Sequence, residues 1–272
     1  MHKKKLLLSV AFLLSLPVSF AARVDTLWIR SASMQRDVQV VAVIPDVSGG
    51  KKAVACPVVY LLHGYSGNAK SWIAIKPDLP KIADEKGIIF VCPDGKNSWY
   101  WDSPKNPSYR YETFVSSELV EYIDTHYATI PHRKARAITG LSMGGHGALW
   151  ISFRHKDTFG AGGSTSGGVD IRPFPRNWEI SKLLGEFAAN KKTWDEHSVV
   201  NQTDRIENGD LAIIIDCGEG DFFLNVNKEL HERLLGRKID HDFIVRPGAH
   251  NADYWRNSID YHILFFDKFF RK

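Results

Sequence analysis

The stretch Thr139-Gly140-Leu141-Ser142-Met143-Gly144-Gly145-His146-Gly147-Ala148 sets one serine between glycines two residues to either side. A serine hydroxyl is a poor nucleophile at neutral pH; it needs an imidazole to take its proton and a carboxylate to orient that ring. It must also stand on a tight, strained turn from strand to helix, which admits no bulk two residues before or after it. Gly140 and Gly144 meet that condition. The same turn would aim the Met143 N–H and the positive end of the next helix at whatever Ser142 attacks. An ordinary glycine-rich turn has the same spacing, so the nucleophile reading predicts a base, an acid and a second oxyanion donor elsewhere.

Seven histidines follow Ser142: His146, His155, His197, His231, His241, His250 and His262. His250, in RPGAHNADYW, sits in a glycine-containing loop between the last strand and the last helix, and is the predicted base. The others lie in helical or charged stretches, where a solvated histidine is the default. The acid comes from IIIDCGEGDFFL, which offers Asp216, Glu219 and Asp221. Asp216 ends a strand and is expected to bond nearby backbone. Asp221 follows a Gly218-to-Gly220 turn from which it can point towards His250, and is the predicted acid; a helix cap is the alternative for either aspartate. The second oxyanion donor is the backbone of Tyr65, in LLHGYSGN, where His63-Gly64 lets the chain approach the serine.

These residues need a scaffold that carries them to one rim. Residues 38–44 alternate as a half-buried strand does, and 57–62 and 88–92 are short apolar runs bounded by turn residues, as in central strands. Further strands are expected at 135–141, 211–216 and 242–246, with helices at 80–87, 113–127, 146–156, 225–235 and 254–270. Alternating strands and helices predict an α/β fold with a mostly parallel sheet covered on both faces, whose chemistry gathers at the carboxyl ends of the strands. Residues 170–208 break the alternation and read as an excursion over the sheet edge, a candidate lid.

The chain has 272 residues and is 44% hydrophobic, enough for one buried core, and no linker suggests a second domain. Residues 1–21 join a basic start to an apolar run and the small residues Ser19 and Ala21, which predicts an export signal cleaved after Ala21 and one domain over 22–272. The expected destination is the periplasm or the medium, with no stable membrane anchor, since the run is short and Pro17 breaks it. The formal charge of +4 includes three lysines of that segment, so the remainder is near neutral and no basic stripe argues for nucleic acid. Cys56, Cys92 and Cys217 border apolar runs and are expected to be buried and unbridged. No Cys-x-x-Cys or His-Glu-x-x-His occurs, so no metal is expected, and the chemistry calls for no cofactor. No sequence signal bears on oligomeric state.

The segments PVVYLLHGYSGNAKSW, PDGKNSWYWD, ITGLSMGGHGALW, STSGG, DCGEGDFF and GAHNADYW together resemble the α/β-hydrolase family that holds esterase D, tributyrin esterases and feruloyl esterase domains. The resemblance runs from Pro57 to Trp255. It implies an α/β-hydrolase fold, a nucleophile at Ser142, an acid at Asp221, a base at His250 and oxyanion donors at Tyr65 and Met143. The expected function is an exported serine esterase acting on a small-molecule or oligosaccharide ester. Trp99, Tyr100, Trp101 and Trp178, in loops near the strand ends, suit stacking on sugar rings or aromatic acyl groups, so acetyl or feruloyl esters of plant polysaccharide are favoured. Packing is the alternative role for these rings. Acyl transfer to a sugar alcohol and hydrolysis of a siderophore ester use the same triad. A non-catalytic carbohydrate-binding protein on this frame predicts a broken triad, and none of the three positions is substituted.

Overall fold

The computed structural model describes residues 22–46 and 54–272. The expected export signal, residues 1–21, lies outside the described residues. Eight strands form one sheet: β1 (Arg23–Ser31), β2 (Arg36–Ile44), β3 (Val58–Leu62), β4 (Ile89–Pro93), β5 (Arg136–Gly140), β6 (Ala161–Thr165), β7 (Ala212–Gly218) and β8 (Asp242–Arg246). Their order is β1-β2-β4-β3-β5-β6-β7-β8. β1 pairs with β2, and β2 with β4, antiparallel; every other pairing is parallel.

Burial follows position in the sheet. Every residue of β3, β4, β5 and β6 is buried, as strands covered on both faces require, whereas the edge strand β1 is mostly exposed and buries only Ile29 and Ser31. Val58, Tyr60 and Leu62 of β3 face one half of the core, and Val59 and Leu61 face the other.

The second half of the core packs against α1 (Ser71–Ile75), α2 (Leu79–Lys86) and the closing helix. The first half is covered by a helical run of α3 (Tyr111–Thr113), a π turn (Phe114–Glu118) and α4 (Leu119–His126), then by α5 (Met143–Arg154). Between β6 and β7 come the short α6 (Ile180–Leu184) and α7 (Lys191–Glu196); α8 (Leu224–Gly236) follows β7 and α9 (Ala252–Phe270) closes the chain. No helix of the described residues is long and apolar enough to cross a membrane.

Three local expectations need correction. The helix predicted over 146–156 begins at Met143, because the glycines that lower its intrinsic helicity are tolerated for close approaches: Gly144 to β3, Gly145 to Ser164 and Gly147 to the Tyr100 ring. β1 and β6 were not anticipated. β6, Ala-Gly-Gly-Ser-Thr, carries no apolar run, and its glycines are where Ser152 and His262 press against the strand and leave no room for a Cβ. The excursion over 170–208 is no loose cover at the sheet edge: Ile180, Leu184, Trp194, Val199, Val200 and Ile206 are fully buried in the same core as α5 and α8. All three cysteines are buried and unbridged.

Candidate active site

Ser142 occupies the turn between β5 and α5 with φ 56° and ψ −118°, a backbone conformation that costs on the order of 1–3 kcal/mol and persists only when its surroundings enforce it. They do so by hydrogen bonds. The Ser142 N–H donates to Thr165 O at 3.0 Å, and the Ser142 carbonyl accepts from the N–H groups of His146 at 3.1 Å and Gly168 at 3.3 Å. The flanking glycines are sterically required. A Cβ at Gly140 would stand 2.4 Å from the Gly144 backbone, and one at Gly144 would stand 2.3 Å from Leu62 O.

His250, in the loop between β8 and α9, and Asp221, just after β7, converge on that serine from elements far apart in the chain. His250 Nε2 lies 2.9 Å from Ser142 Oγ, and His250 Nδ1 lies 2.9 Å from Asp221 Oδ2 and 3.1 Å from Oδ1. An ionised carboxylate only accepts, so Nδ1 carries the hydrogen and Nε2 is left to accept from the serine hydroxyl. The Asp221 side chain is fully buried, and its Oδ1 also accepts the Phe223 N–H at 2.8 Å. The arrangement can deprotonate Ser142 as it attacks an electrophile.

The N–H groups of Tyr65 and Met143 donate to no protein acceptor among the described residues. Met143 opens α5, and the loop after β3 passes so near that a Cβ on Gly64 would be 3.3 Å from Ser142 Cβ. Buried His63 fixes this loop: its Nε2 accepts the Gly95 N–H at 2.8 Å, which leaves Nδ1 to donate to Gly64 O at 2.7 Å. Asp94 lies beside that ring. Burial raises the Asp94 pKa, but the ammonium and backbone N–H of Lys96 outweigh it and hold the carboxyl well below the ordinary range.

Two histidines expected to be solvated are instead buried completely. His146 donates from Nδ1 to Gly168 O at 2.9 Å and packs edge-on against Trp99 and Trp101; burial lowers its pKa to about 3, so it is neutral. His262 bridges Thr139 and Asp216. Asp216 is corrected too: its carboxylate meets side chains of β6, β8 and α9 rather than nearby backbone.

A cleft of about 320 Å³ opens over Ser142 and His250, walled by Tyr65, Ile75, Trp178, Phe222 and Trp255. Of the aromatics expected to meet substrate, Trp178 lines it, stacked on Phe222 with centroids 5.9 Å apart. Trp99 and Trp101 do not. They are 1% and 0% exposed and stack on one another beneath Trp178, so they are core supports of the cleft wall. Phe222 and Trp255 escaped the sequence reading, although Phe222 adjoins Asp221 and Trp255 follows His250 by five residues; adjacency to the triad was the available signal.

The family described as "Putative esterase" matches residues 31–266. The chain is 24% identical over 253 residues to an acetyl esterase of Caldicellulosiruptor saccharolyticus, spanning 84% of this chain and 92% of that protein. It is 24% identical over 237 residues to the S-formylglutathione hydrolase of Mus musculus, spanning 78% and 80%. Among solved structures, a ferulic acid esterase superposes with a TM-score of 0.80 at 28% identity, covering 93% of this chain and 100% of that one. The mostly parallel sheet with helices on both faces is therefore an α/β-hydrolase fold.

Proposed function

Since the chain belongs to the "Putative esterase" family and is a serine esterase, we propose that Ser142, His250 and Asp221 are its catalytic triad and that it cleaves acyl esters of plant polysaccharide outside the cytoplasm. The observation that carries the reading is the unbroken line of hydrogen bonds from Ser142 Oγ through His250 to Asp221.

In the first half-reaction Ser142 Oγ attacks the ester carbonyl while His250 Nε2 takes its proton and Asp221 stabilises the imidazolium. The N–H groups of Tyr65 and Met143 bind the tetrahedral oxygen, each contributing about 3 kcal/mol to the transition state. His250 then protonates the departing alcohol. In the second half-reaction His250 activates a water that releases the acid from the serine. The aromatic wall of Tyr65, Trp178, Phe222 and Trp255 favours a feruloyl over an acetyl group, because a flat phenolic ring buries far more apolar surface there than a methyl does.

A panel of feruloylated and acetylated xylan oligosaccharides set beside p-nitrophenyl acetate tests both levels. Ser142→Ala should abolish hydrolysis and covalent capture of a fluorophosphonate; labelling that survives would identify another nucleophile. Trp178→Ala should raise KM for the feruloyl substrate by about 10-fold while leaving the acetyl substrate within about two-fold. Equal effects on both would remove Trp178 from acyl recognition.

A further inference from the structure

We propose that Asp216 is a positioning residue for this reaction: its buried carboxylate registers the nucleophile, acid and base segments against one another, acting through the Thr165 hydroxyl and α9. The proposal rests on the triad reading above.

The Asp216 carboxylate is fully buried and collects four donors. Thr165 Oγ1 of β6 donates at 2.6 Å, Arg246 Nη2 at the end of β8 at 3.1 Å, His262 Nε2 of α9 at 3.2 Å, and Ser258 Oγ of α9 also donates. Each donor leads to the site. Asp216 is on β7, five residues before Asp221 in the turn that follows that strand, and Arg246 is four before His250. Ser258 and His262 stand on the helix that starts two residues after His250. The carbonyl of Thr165 holds the Ser142 N–H, and the second nitrogen of His262 lies 2.8 Å from the hydroxyl of Thr139, three residues before Ser142. β6 makes way for this crossing with a glycine: a Cβ on Gly163 would stand 2.7 Å from both His262 Nδ1 and Thr139 Oγ1.

Stability alone is a weak reason for such a cluster, since well-packed apolar side chains serve a core as well as a buried ionic network does. A register role accounts for its position, because a shift of about 1 Å in a reacting group costs on the order of 100-fold in rate. Burial raises the Asp216 pKa, but His262, Ser258 and Thr165 outweigh it and keep the carboxyl below its ordinary range, so it accepts from all four donors at neutral pH.

Two substitutions at Thr165 separate positioning from packing. Thr165→Val keeps the shape and deletes the hydroxyl; Thr165→Ser deletes a methyl and keeps the hydroxyl. For p-nitrophenyl acetate, Thr165→Val should lower kcat by about 10- to 100-fold with KM within about two-fold, and Thr165→Ser should stay within about three-fold of wild type. The reverse ranking, or a Thr165→Val enzyme with wild-type kcat, overturns the proposal. Asp216→Asn should follow Thr165→Val, while Ile123→Ala, a remote core truncation in α4, should lower the Tm without the loss of kcat. If Thr165→Val does not fold, Ser258→Ala carries the same expectation of lower kcat at constant KM, and an unchanged kcat there overturns the proposal. Fluorophosphonate labelling of the wild type keeps the two readings distinguishable. A wild type that is not labelled at Ser142 refutes the triad, whereas a labelled wild type with fully active variants refutes only the role of Asp216.

Discussion

Asp221 meets the His250 ring with both carboxylate oxygens within 3.1 Å, and this contact decides which nitrogen carries the hydrogen. Asp221→Asn should keep the geometry and present an amide N–H to Nδ1, which leaves Nε2 protonated and unable to accept from Ser142. The expected loss in kcat is roughly 10⁴-fold, the scale at which the same change acts in a serine protease, with little change in Tm. Steady-state hydrolysis of p-nitrophenyl acetate beside a thermal melt checks it, and a variant within ten-fold of wild type would deny Asp221 the role. Ser142, Asp221, His250 and Gly64 were legible in the sequence because a tight turn, a chain order and a close backbone approach each restrict which residue type can stand there. Trp99 and Trp101 misled for the opposite reason: an indole suits a wet cleft and a dry core equally, and nothing local in NSWYWD distinguishes them. His262 was misjudged because its partners, Thr139 and Asp216, lie 123 and 46 residues away.

The β5 turn and α5 form one element in which the glycines decide whether the nucleophile can be presented at all. Gly144→Ala would drive a methyl into the Leu62 and His63 carbonyls at 2.3 and 2.6 Å, both of them backbone that cannot step aside. The expected cost is about 1–3 kcal/mol, seen as a lower Tm with activity falling alongside it. An alanine variant with wild-type Tm would show that β3 gives way there. Most of the strands were legible because apolar runs such as Val-Val-Tyr-Leu-Leu announce a strand buried on both faces. β6 carried no such signal: Gly162 and Gly163 are chosen for what passes over them, Ser152 and His262, so its sequence records the neighbours rather than the strand. β1 was missed because an edge strand with mostly exposed side chains lacks the apolar run by which its neighbours were found.

At the scale of the whole molecule, buried titratable groups set how the fold responds to acid. Burial lowers the His146 pKa from 6.5 to about 3. Burial raises the Glu112 pKa, but hydrogen bonds from His155, Arg154 and Trp150 outweigh it and bring the carboxyl down from 4.5 to about 2. Between those limits the unfolded chain binds more protons than the folded one at both groups, so stability rises with pH. It should decline from pH 6.5 to 3 through His146, most steeply between 4.5 and 3 where Glu112 adds its own share, and go on falling to about pH 2 through Glu112 alone. Urea midpoints at pH 7, 5, 4 and 3 check this; Glu112→Gln should flatten the lower part of the curve, and a midpoint constant from pH 7 to 3 would contradict it. The interior thiols have a consequence of a different kind. With no sulfur bridge to reduce, the fold should tolerate dithiothreitol. Burial raises all three thiol pKa values, that of Cys92 to about 12, so alkylating reagents find no thiolate until the molecule opens, and the rate of their capture becomes a built-in clock for that opening.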